Sequence, residues 1–428
     1  MNLDQARGML VGLAVGDALG APLEFTEARE PDNYLTEMVG GGTHSTAIGE
    51  WTDDTSMALA IAESYQNTSE FQADRIQRSF NAWLRDGAFT WRGKCFDIGH
   101  TTLSALNTAE KHGYHNPYAG SMNKYGKGNG ALMRMAPVII ANHNNRDKCI
   151  TEAIQQTLLT HGSNTCVDYS VALASDLFAC GEIDKYEDLD LPNLRLSKNT
   201  DRHKVMSGGY VKETYECAWW ALENTTTFED AVIIAVNRGH DADTVGAVTG
   251  QLAGVKYGYD SIPKRWVEVL KMHDNIMDVA DCLYHLGNGF GVMPNRQEIE
   301  SVLAFIPQLT LPDFKPIISW IGEESYPIYH SAMINLNREI DKPCWSGDGS
   351  FGYSDQSQDA LKQGSLKDIV DFFSRYRRGT QWGGDRWQAD VFEQGDIMVA
   401  LLRLKDFAYD RHSTNITDTS KDKKILDN

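Results

Sequence analysis

Two short acidic segments carry the residues best suited to chemistry. One is Trp51-Thr52-Asp53-Asp54-Thr55, directly ahead of the apolar run Met57–Ala62; the other is His240-Asp241-Ala242-Asp243-Thr244, directly ahead of Val245–Tyr257. Each reads as the opening of a helix. A helix entrance favours Thr or Asp as N-cap and gains roughly 0.3–1 kcal/mol from acidic side chains in its first turn, so capping alone explains either segment. It does not explain both. One cap needs a single acceptor, whereas Asp53 with Asp54 and Asp241 with Asp243 put two carboxylates at each of two entrances. If the fold joins the entrances, four carboxylates share a small space, and their repulsion is relieved by protonation or by cations. A binuclear metal site is the simplest relief. Carboxylate and hydroxyl oxygens are hard ligands, and no His/Cys spacing points to zinc, so two divalent ions, Mg2+ or Mn2+, are expected. His240 reads better as a supporting or core group than as a ligand.

The segment Gly12-Leu13-Ala14-Val15-Gly16-Asp17-Ala18-Leu19-Gly20-Ala21-Pro22-Leu23-Glu24 predicts a tightly packed helix of small residues ending near an acidic side chain. Gly246, Ala247, Gly250, Ala253 and Gly254 predict equally close packing after the second acidic segment. Elsewhere in the first 300 residues apolar positions recur at helical spacing, as in Asp74–Leu84, Ile98–Lys111, Cys149–Thr160, Val167–Cys180 and Lys212–Asn224. An all-α domain is expected. Between these segments Gly40–Glu50, Tyr125–Gly130 and Ser197–Gly209 are longer or more polar than a helix connection requires, as ligand-holding loops tend to be.

Pro307 and Pro312 interrupt the helical pattern, and the composition turns towards aromatics and arginines. The boundary is therefore placed there. The expected layout is a catalytic domain over 1–304, a smaller, mostly helical domain over 305–412, and a disordered charged tail over 413–428. Within the second domain helices are expected at Ser365–Arg377 and Asp396–Phe407, around a turn at Gly379–Arg386.

At 428 residues the chain is long for one core, and 42% hydrophobic with 23% charged residues is a globular balance. No apolar run is long enough for a bilayer, and Met1–Val15 carries Asp4 without the basic-then-apolar order of a secretory signal. A cytoplasmic location with no membrane partner is expected. Seven scattered cysteines with no C-x-x-C pair read as reduced core residues. A formal charge of −19 argues against a nucleic acid partner, and an acidic protein that takes up an anionic nucleotide needs cations in its site.

Five motifs occur in order: Gly16-Asp17-Ala18-Leu19-Gly20-x-x-x-Glu24, Thr52-Asp53-Asp54, Asp97-Ile98-Gly99, Gly128-Asn129-Gly130-Ala131-Leu132-Met133-Arg134-x-Ala136-Pro137, and Asp241-x-Asp243-Thr244. Together they resemble the ADP-ribosylglycohydrolases, a family that includes the dinitrogenase reductase-activating glycohydrolase of nitrogen-fixing bacteria. The resemblance implies an all-α fold and two divalent metals held by Thr52, Asp53, Asp54, Asp241, Asp243 and Thr244, beside the ribose hydroxyls. It also implies a role at the metals for Glu24 and, by similarity to the bacterial branch, for Asp97. Glycoside cleavage passes through an oxocarbenium-like state and needs an oriented substrate, an activated water and a proton donor or acceptor. Asp97 or Glu24 is the candidate general base.

The segment Gly126–Arg134 matches the family's diphosphate loop, where small residues let backbone N–H groups approach phosphate oxygens. Gly128, Asn129, Gly130 and Met133 are its candidate substrate contacts. Gly208-Gly209-Tyr210-Val211 resembles the segment whose aromatic stacks on adenine, so Tyr210 is the candidate platform, a core tyrosine being the alternative. His161 is carried as a candidate ribose or adenine contact. After Thr160-His161, however, the family often continues with a second histidine and a proline, and here Gly162-Ser163-Asn164 follows.

The resulting expectation is metal-dependent hydrolysis of the N-glycosidic bond between ADP-ribose and a modified protein side chain. Arginine comes first because of Asp97-Ile98-Gly99, and the expected partner is an ADP-ribosylated protein. The alternative is an immunity-type binding protein that neutralises an ADP-ribosyltransferase toxin by occlusion, with or without erasing its mark. Pure occlusion would survive substitution of Asp53 and Asp243. A relative that keeps the fold without turnover is disfavoured, because unused buried carboxylates are costly. In the C-terminal part, Arg377-Arg378-Gly379, Trp382-Gly383-Gly384, Arg386-Trp387 and Gly395-Asp396-Ile397 weakly resemble a small bacterial domain. These residues could contact a partner or fill that domain's core.

Overall fold

The computed structural model describes residues 1–118, 126–179, 194–289, 296–311, 314–321, 326–329, 331–340, 357–364, 366–382 and 391–409. The chain divides into two compact units, Met1–Gly289 and Phe290–Asn428. The first is built from α1 (Leu3–Gly20), α2 (Asp53–Thr68), α3 (Ala73–Asp86), α4 (His100–Lys111), α5 (Ala136–Ala141), α6 (Arg146–Leu158), α7 (Asn164–Phe178), α8 (Val211–Glu223), α9 (Phe228–Val236), α10 (Ala242–Tyr257), α11 (Lys264–Val267) and α12 (His273–Gly287). The periodic segments of the sequence fall on α3, α4, α6, α7 and α8. No described helix is long and apolar enough to cross a membrane.

α1 and α10 are buried along nearly their whole length, as befits helices surrounded by others. They run antiparallel, and Gly8, Gly12, Gly16 and Gly20 of α1 meet Gly254, Gly250, Gly246 and Ala242 of α10. A Cβ added at Gly16 would lie 2.0 Å from the Gly246 carbonyl oxygen, and one at Gly250 would lie 1.9 Å from that of Gly12. No side chain fits between the helices, so their backbones touch and fix one register. The start of α1 is closed by a capping box, in which Gln5 N donates to Asn2 Oδ1 (2.8 Å) and Asn2 N to Gln5 Oε1 (2.9 Å). Because the last turn of α1 lies against the first turn of α10, residues near 17–24 and 241–244 become neighbours.

The main core around this spine includes Leu13, Val15, Trp51, Met57, Trp219, Phe228 and Trp266. The entry to α2 is pinned from outside: Trp51 Nε1 donates to the Lys271 carbonyl (2.9 Å), and Lys271 N donates to that of Gly49 (2.9 Å).

The second unit is mostly helical, with α13 (Arg296–Leu303), α14 (Ile306–Leu309), α15 (Ser331–Ile340), α16 (Ser357–Gln363), α17 (Leu366–Trp382) and α18 (Asp396–Tyr409). A small antiparallel hairpin, β1 (Ile317–Ile321) with β2 (Tyr326–Tyr329), pairs Ile321 with Tyr326 and Ile317 with Tyr329. Ile299, Val302 and Leu303 join Leu336, Phe373, Tyr376, Ile397 and Leu401 in this unit's own core. α13 therefore packs with the second unit, ahead of the prolines at which the sequence pattern places a boundary. Proline marks a helix break, whereas shared burial decides which core a helix joins. α17 also runs on through Gly379 to Trp382, where the sequence predicts a turn. Glycine disfavours a helix interior by about 1 kcal/mol, and burial of Ile369, Phe372, Phe373 and Tyr376 overrides it. Arg386, Trp387 and the tail from 413 lie outside the described residues, as do the side chains of Arg377, Arg378 and Trp382.

Candidate active site

Asp17, near the end of α1, is fully buried and caps α2 from another helix. Its Oδ1 accepts from Thr52 N (2.8 Å) and Thr52 Oγ1 (3.0 Å), and its Oδ2 accepts from Thr55 N (3.0 Å) and Thr55 Oγ1 (2.6 Å). Thr52 at the α2 N-cap and Asp241 at the α10 N-cap make no side-chain capping bond of their own. Capping therefore does not account for Asp53, Asp54, Asp241 and Asp243.

The two entrances meet, as their acidic pairs require for metal binding. Thr52 Oγ1 lies 3.3 Å from Asp243 Oδ2, and reciprocally Thr244 Oγ1 donates to Asp54 Oδ1 at 3.2 Å. Carboxylate oxygens of Asp17, Asp54 and Asp243 come within 4.8 Å of one another, as do those of Asp53, Asp97 and Asp243, and those of Glu24, Asp241 and Asp243. Burial, reinforced by this crowding, pushes the carboxyls of Asp53, Asp54 and Asp243 well above the usual range. Burial raises Asp97 and Asp241 too, and it lifts Asp17 to about 7 against its four hydrogen bonds. Asp54 Oδ2, Asp97 Oδ2 and Asp243 Oδ1 are buried and accept no hydrogen bond. Such unmatched hard oxygens fit a divalent cation, whose charge would relieve the repulsion.

Glu24 and Asp97 converge on a residue that no spacing in the sequence singled out. His44 Nε2 lies 2.9 Å from Glu24 Oε2 and 2.9 Å from Asp97 Oδ1. His44 sits in the Gly40–Glu50 loop, folded on itself by a Gly41–Thr46 bridge. Arg92 anchors that loop: it donates to the carbonyls of His44 (3.1 Å) and Ser45 (3.2 Å), grips both oxygens of Glu50, and lies 4.2 Å over the Phe96 ring. Asp97 is held in the left-handed region, with φ of +64°. Burial first, then the charges of Asp97 and Asp241, push the Glu24 carboxyl up to about 9.

The glycine loop joins the same site. Gly128 and Tyr210 form an isolated antiparallel bridge, and Val211 N donates to the Lys127 carbonyl (3.0 Å), so two loops expected to hold ligands are bound edge to edge. Asn129 Nδ2 reaches Asp241 Oδ2 (2.8 Å) and Thr214 Oγ1 (2.8 Å), tying this loop to the acidic cluster. Tyr210 is half-buried at the edge of the main core, with part of its surface accessible.

His161 and Met133 take supporting places. A Cβ at Gly128 or Gly130 would come 3.2 or 3.1 Å from the His161 ring, which forms the floor under the loop and is only 2% exposed. Its Nδ1 contacts Thr160 Oγ1 (2.8 Å), which accepts from Arg134 Nη2 (2.7 Å). Burial and the Arg134 charge depress its pKa to about 3, leaving the ring neutral. Met133 is buried in the main core, where its carbonyl accepts from Gln251 Nε2 (2.9 Å). His161 thus lies beneath the loop, while Met133 is held in the core.

A helical domain with paired carboxylates at two joined helix entrances, flanked by a glycine loop, is the framework of a hydrolase. Residues 2–290 match the family model described as ADP-ribosylglycohydrolase, and the chain belongs to that family. Among its relatives, the ADP-ribosylarginine hydrolase Tri1 of Serratia proteamaculans is 37% identical over 304 residues, covering 67% of this chain and 80% of that protein. The ADP-ribosyl-[dinitrogen reductase] glycohydrolase of Rhodospirillum rubrum is 29% identical, covering 63% of this chain and 91% of that protein. A solved structure of an ADP-ribosylglycohydrolase-related protein complex, 32% identical, matches with a TM-score of 0.57 over 67% of this chain and 98% of its own. The protein is thus an ADP-ribosyl glycohydrolase.

Proposed function

We propose that the protein hydrolyses the N-glycosidic bond joining ADP-ribose to an arginine side chain of a modified protein, with two divalent cations, Mg2+ or Mn2+. The observation that carries this reading is the junction of the α2 and α10 entrances, where buried carboxylate oxygens accept no hydrogen bond. The choice of arginine is supported by the name of the relatives called ADP-ribosylarginine hydrolase. Thr52, Asp53, Asp54, Asp241, Asp243 and Thr244 would hold the ions. Bound there, divalent cations supply Lewis acidity and orient the ribose hydroxyls beside the scissile bond.

The remaining work falls to this chain's residues. Backbone N–H groups of Gly128–Gly130 take the diphosphate, and Tyr210 takes the adenine. Asn129 fixes the orientation of Asp241 through its 2.8 Å hydrogen bond. Asp97 or Glu24 accepts a proton from the attacking water as its oxygen bonds to the ribose anomeric carbon. That proton then goes to the departing guanidino nitrogen, so arginine leaves as its ordinary cation and ADP-ribose is released.

The test is release of free ADP-ribose from an arginine-ADP-ribosylated protein, with Mg2+, Mn2+ or chelator, comparing the native chain with Asp243→Ala. Metal-dependent release by the native chain, reduced at least ~100-fold in the variant, is expected. No release from arginine-, serine- or nucleic acid-linked substrates would overturn the reading. It would leave a protein that occludes an ADP-ribosyltransferase, whose protective effect survives substitution of Asp53 and Asp243.

A further inference from the structure

Phe25 is an aromatic side chain that the core does not use. It follows Glu24 directly, is 67% exposed, and has a left-handed backbone with φ of +60°. A bulky residue in that region is strained and persists only where its surroundings hold it. Here they do. Phe25 N donates to the His240 carbonyl (2.6 Å), His240 N donates to that of Thr26 (2.8 Å), and Thr26 turns back onto Leu23 through its N (3.1 Å) and Oγ1 (2.7 Å). His240 on the facing segment is also left-handed, with φ of +56°. The chain on both sides of the ring is therefore fixed while the ring itself faces solvent.

Its ring neighbour, His44, leads to two carboxylates. The Phe25 ring centroid lies 6.3 Å from that of His44, whose Nε2 touches both Glu24 and Asp97. A single exposed phenylalanine ordinarily needs no explanation. One held rigidly in a strained backbone, next in the chain to Glu24 and a single histidine ring away from Asp97, does. A ring face with acceptor oxygens at its edge suits a planar cation, which stacks through the ring's quadrupole and donates N–H groups to the oxygens. The same wall already shows this pairing: the Arg92 guanidinium lies over Phe96 and is bound by Glu50. Phe96 is thereby taken, and Phe25 is open.

We propose that Phe25, with Glu24 and Asp97 beside it, forms the subsite for the guanidinium through which ADP-ribose is attached, and selects a planar cationic side chain over a neutral hydroxyl. The substrate it names rests on the arginine reading above, but its test does not depend on turnover. Binding of agmatine, a free guanidine, is measured by ligand-observed NMR on the full chain with Mg2+, with and without ADP-ribose. The native chain is compared with Phe25→Ala, Phe25→Leu and Phe25→Trp.

Agmatine is expected to bind the native chain, about fivefold more weakly to the Ala and Leu variants, and at least as tightly to the Trp variant. Fivefold corresponds to ~1 kcal/mol, the scale of a cation over an exposed ring. ADP-ribose affinity is expected to be equal in all four, which shows that the fold and the nucleotide site are intact. No agmatine binding to the native chain, equal binding by the native and Ala chains, or native-like binding by the Leu variant would each overturn the proposal. Failure of the arginine reading looks different: the native chain releases ADP-ribose from neither arginine-linked nor serine-linked substrate, whereas release from serine-linked substrate alone would overturn the selection as well. Agmatine binding through Phe25 would still stand in the first case.

Discussion

The carboxylate cluster makes a prediction that ordinary core packing does not: removing one of its charges stabilises the metal-free protein while destroying its response to metal. Asp54 is the residue to change, because it is fully buried and its Oδ1 accepts from Thr244 while its Oδ2 accepts nothing. Asp54→Asn keeps the acceptor for Thr244 and turns an unmatched oxygen into an amide donor facing other carboxylates. Like charges 4.8 Å apart, the span within which the Asp17, Asp54 and Asp243 oxygens lie, repel by roughly 3.5 kcal/mol at an effective dielectric of about 20. Partial protonation lowers that figure, while shorter separations and the second neighbour raise it, so it sets the scale of the effect. At about 2–4 °C per kcal/mol for a domain of this size, the variant in chelator should melt several degrees above the native chain.

The response to metal should reverse the order. Ions at a hundred times their dissociation constant stabilise the native chain by about 2.7 kcal/mol, a rise of roughly 5–11 °C, and the variant should lose most of it. Scanning calorimetry of both chains with chelator and with Mg2+ or Mn2+ reads the crossing directly. A variant that melts lower in chelator and keeps the full metal shift would refute the idea that these carboxylates are a strained, cation-relieved site.

Three further outcomes follow from named contacts. Gly250→Ala drives a methyl into the Gly12 carbonyl, 1.9 Å from the ideal Cβ, and should cost about 3 kcal/mol, roughly 6–12 °C in melting temperature. It should also weaken the metal shift from a distance, and native-like melting would show that the spine can yield. Asn129→Ala removes the donor that orients Asp241 and should lower metal affinity about 10–100-fold by titration calorimetry; unchanged affinity would make Asn129 a loop anchor only. His161 stays neutral, its pKa depressed to about 3 by burial. Between pH 6.5 and about 3 the unfolded chain binds a proton that the folded chain refuses, so stability is present above 6.5 and is lost as pH falls through that window. His161→Gln in the metal-loaded protein should flatten that acid-side loss, and an identical pH–stability curve would contradict the assignment.

Much of this was legible in the sequence because it lies in local pattern. Helical periodicity gave α3, α4, α6, α7 and α8, and the paired acidic motifs marked both helix entrances. What was missing depends on residues far apart in the chain. Asp17 was visible as a lone charge in a helix of small residues, but its capping of α2 is a contact across 35 positions. His44 belongs to no motif, and only the folded Gly40–Glu50 loop sets it between Glu24 and Asp97. The glycines of the Gly128–Gly130 loop, read as room for phosphate, also make room for the His161 ring beneath. Which core α13 joins was likewise set by burial, and the prolines beside it do not report burial.

These observations together explain why a site this repulsive sits on this particular scaffold. Carboxylates crowded out of water will move apart if the backbone lets them, and side-chain packing can slide by a few tenths of an ångström to allow it. The α1–α10 contact has no side chains to slide at its closest points, because backbones meet directly at four successive positions of α1, from Gly8 against Gly254 to Gly20 against Ala242. The Asp17 bonds extend that rigidity to the α2 entrance, and the Asn129 bond extends it to the glycine loop. With Asp17, Asp54, Asp241 and Asp243 carried on elements that cannot retreat, charge neutralisation is the remaining relief, and a divalent cation would supply it without giving up the negative oxygens that orient it. The small-residue stripe in the sequence is therefore part of the catalytic design, acting through the positions it denies to any larger side chain.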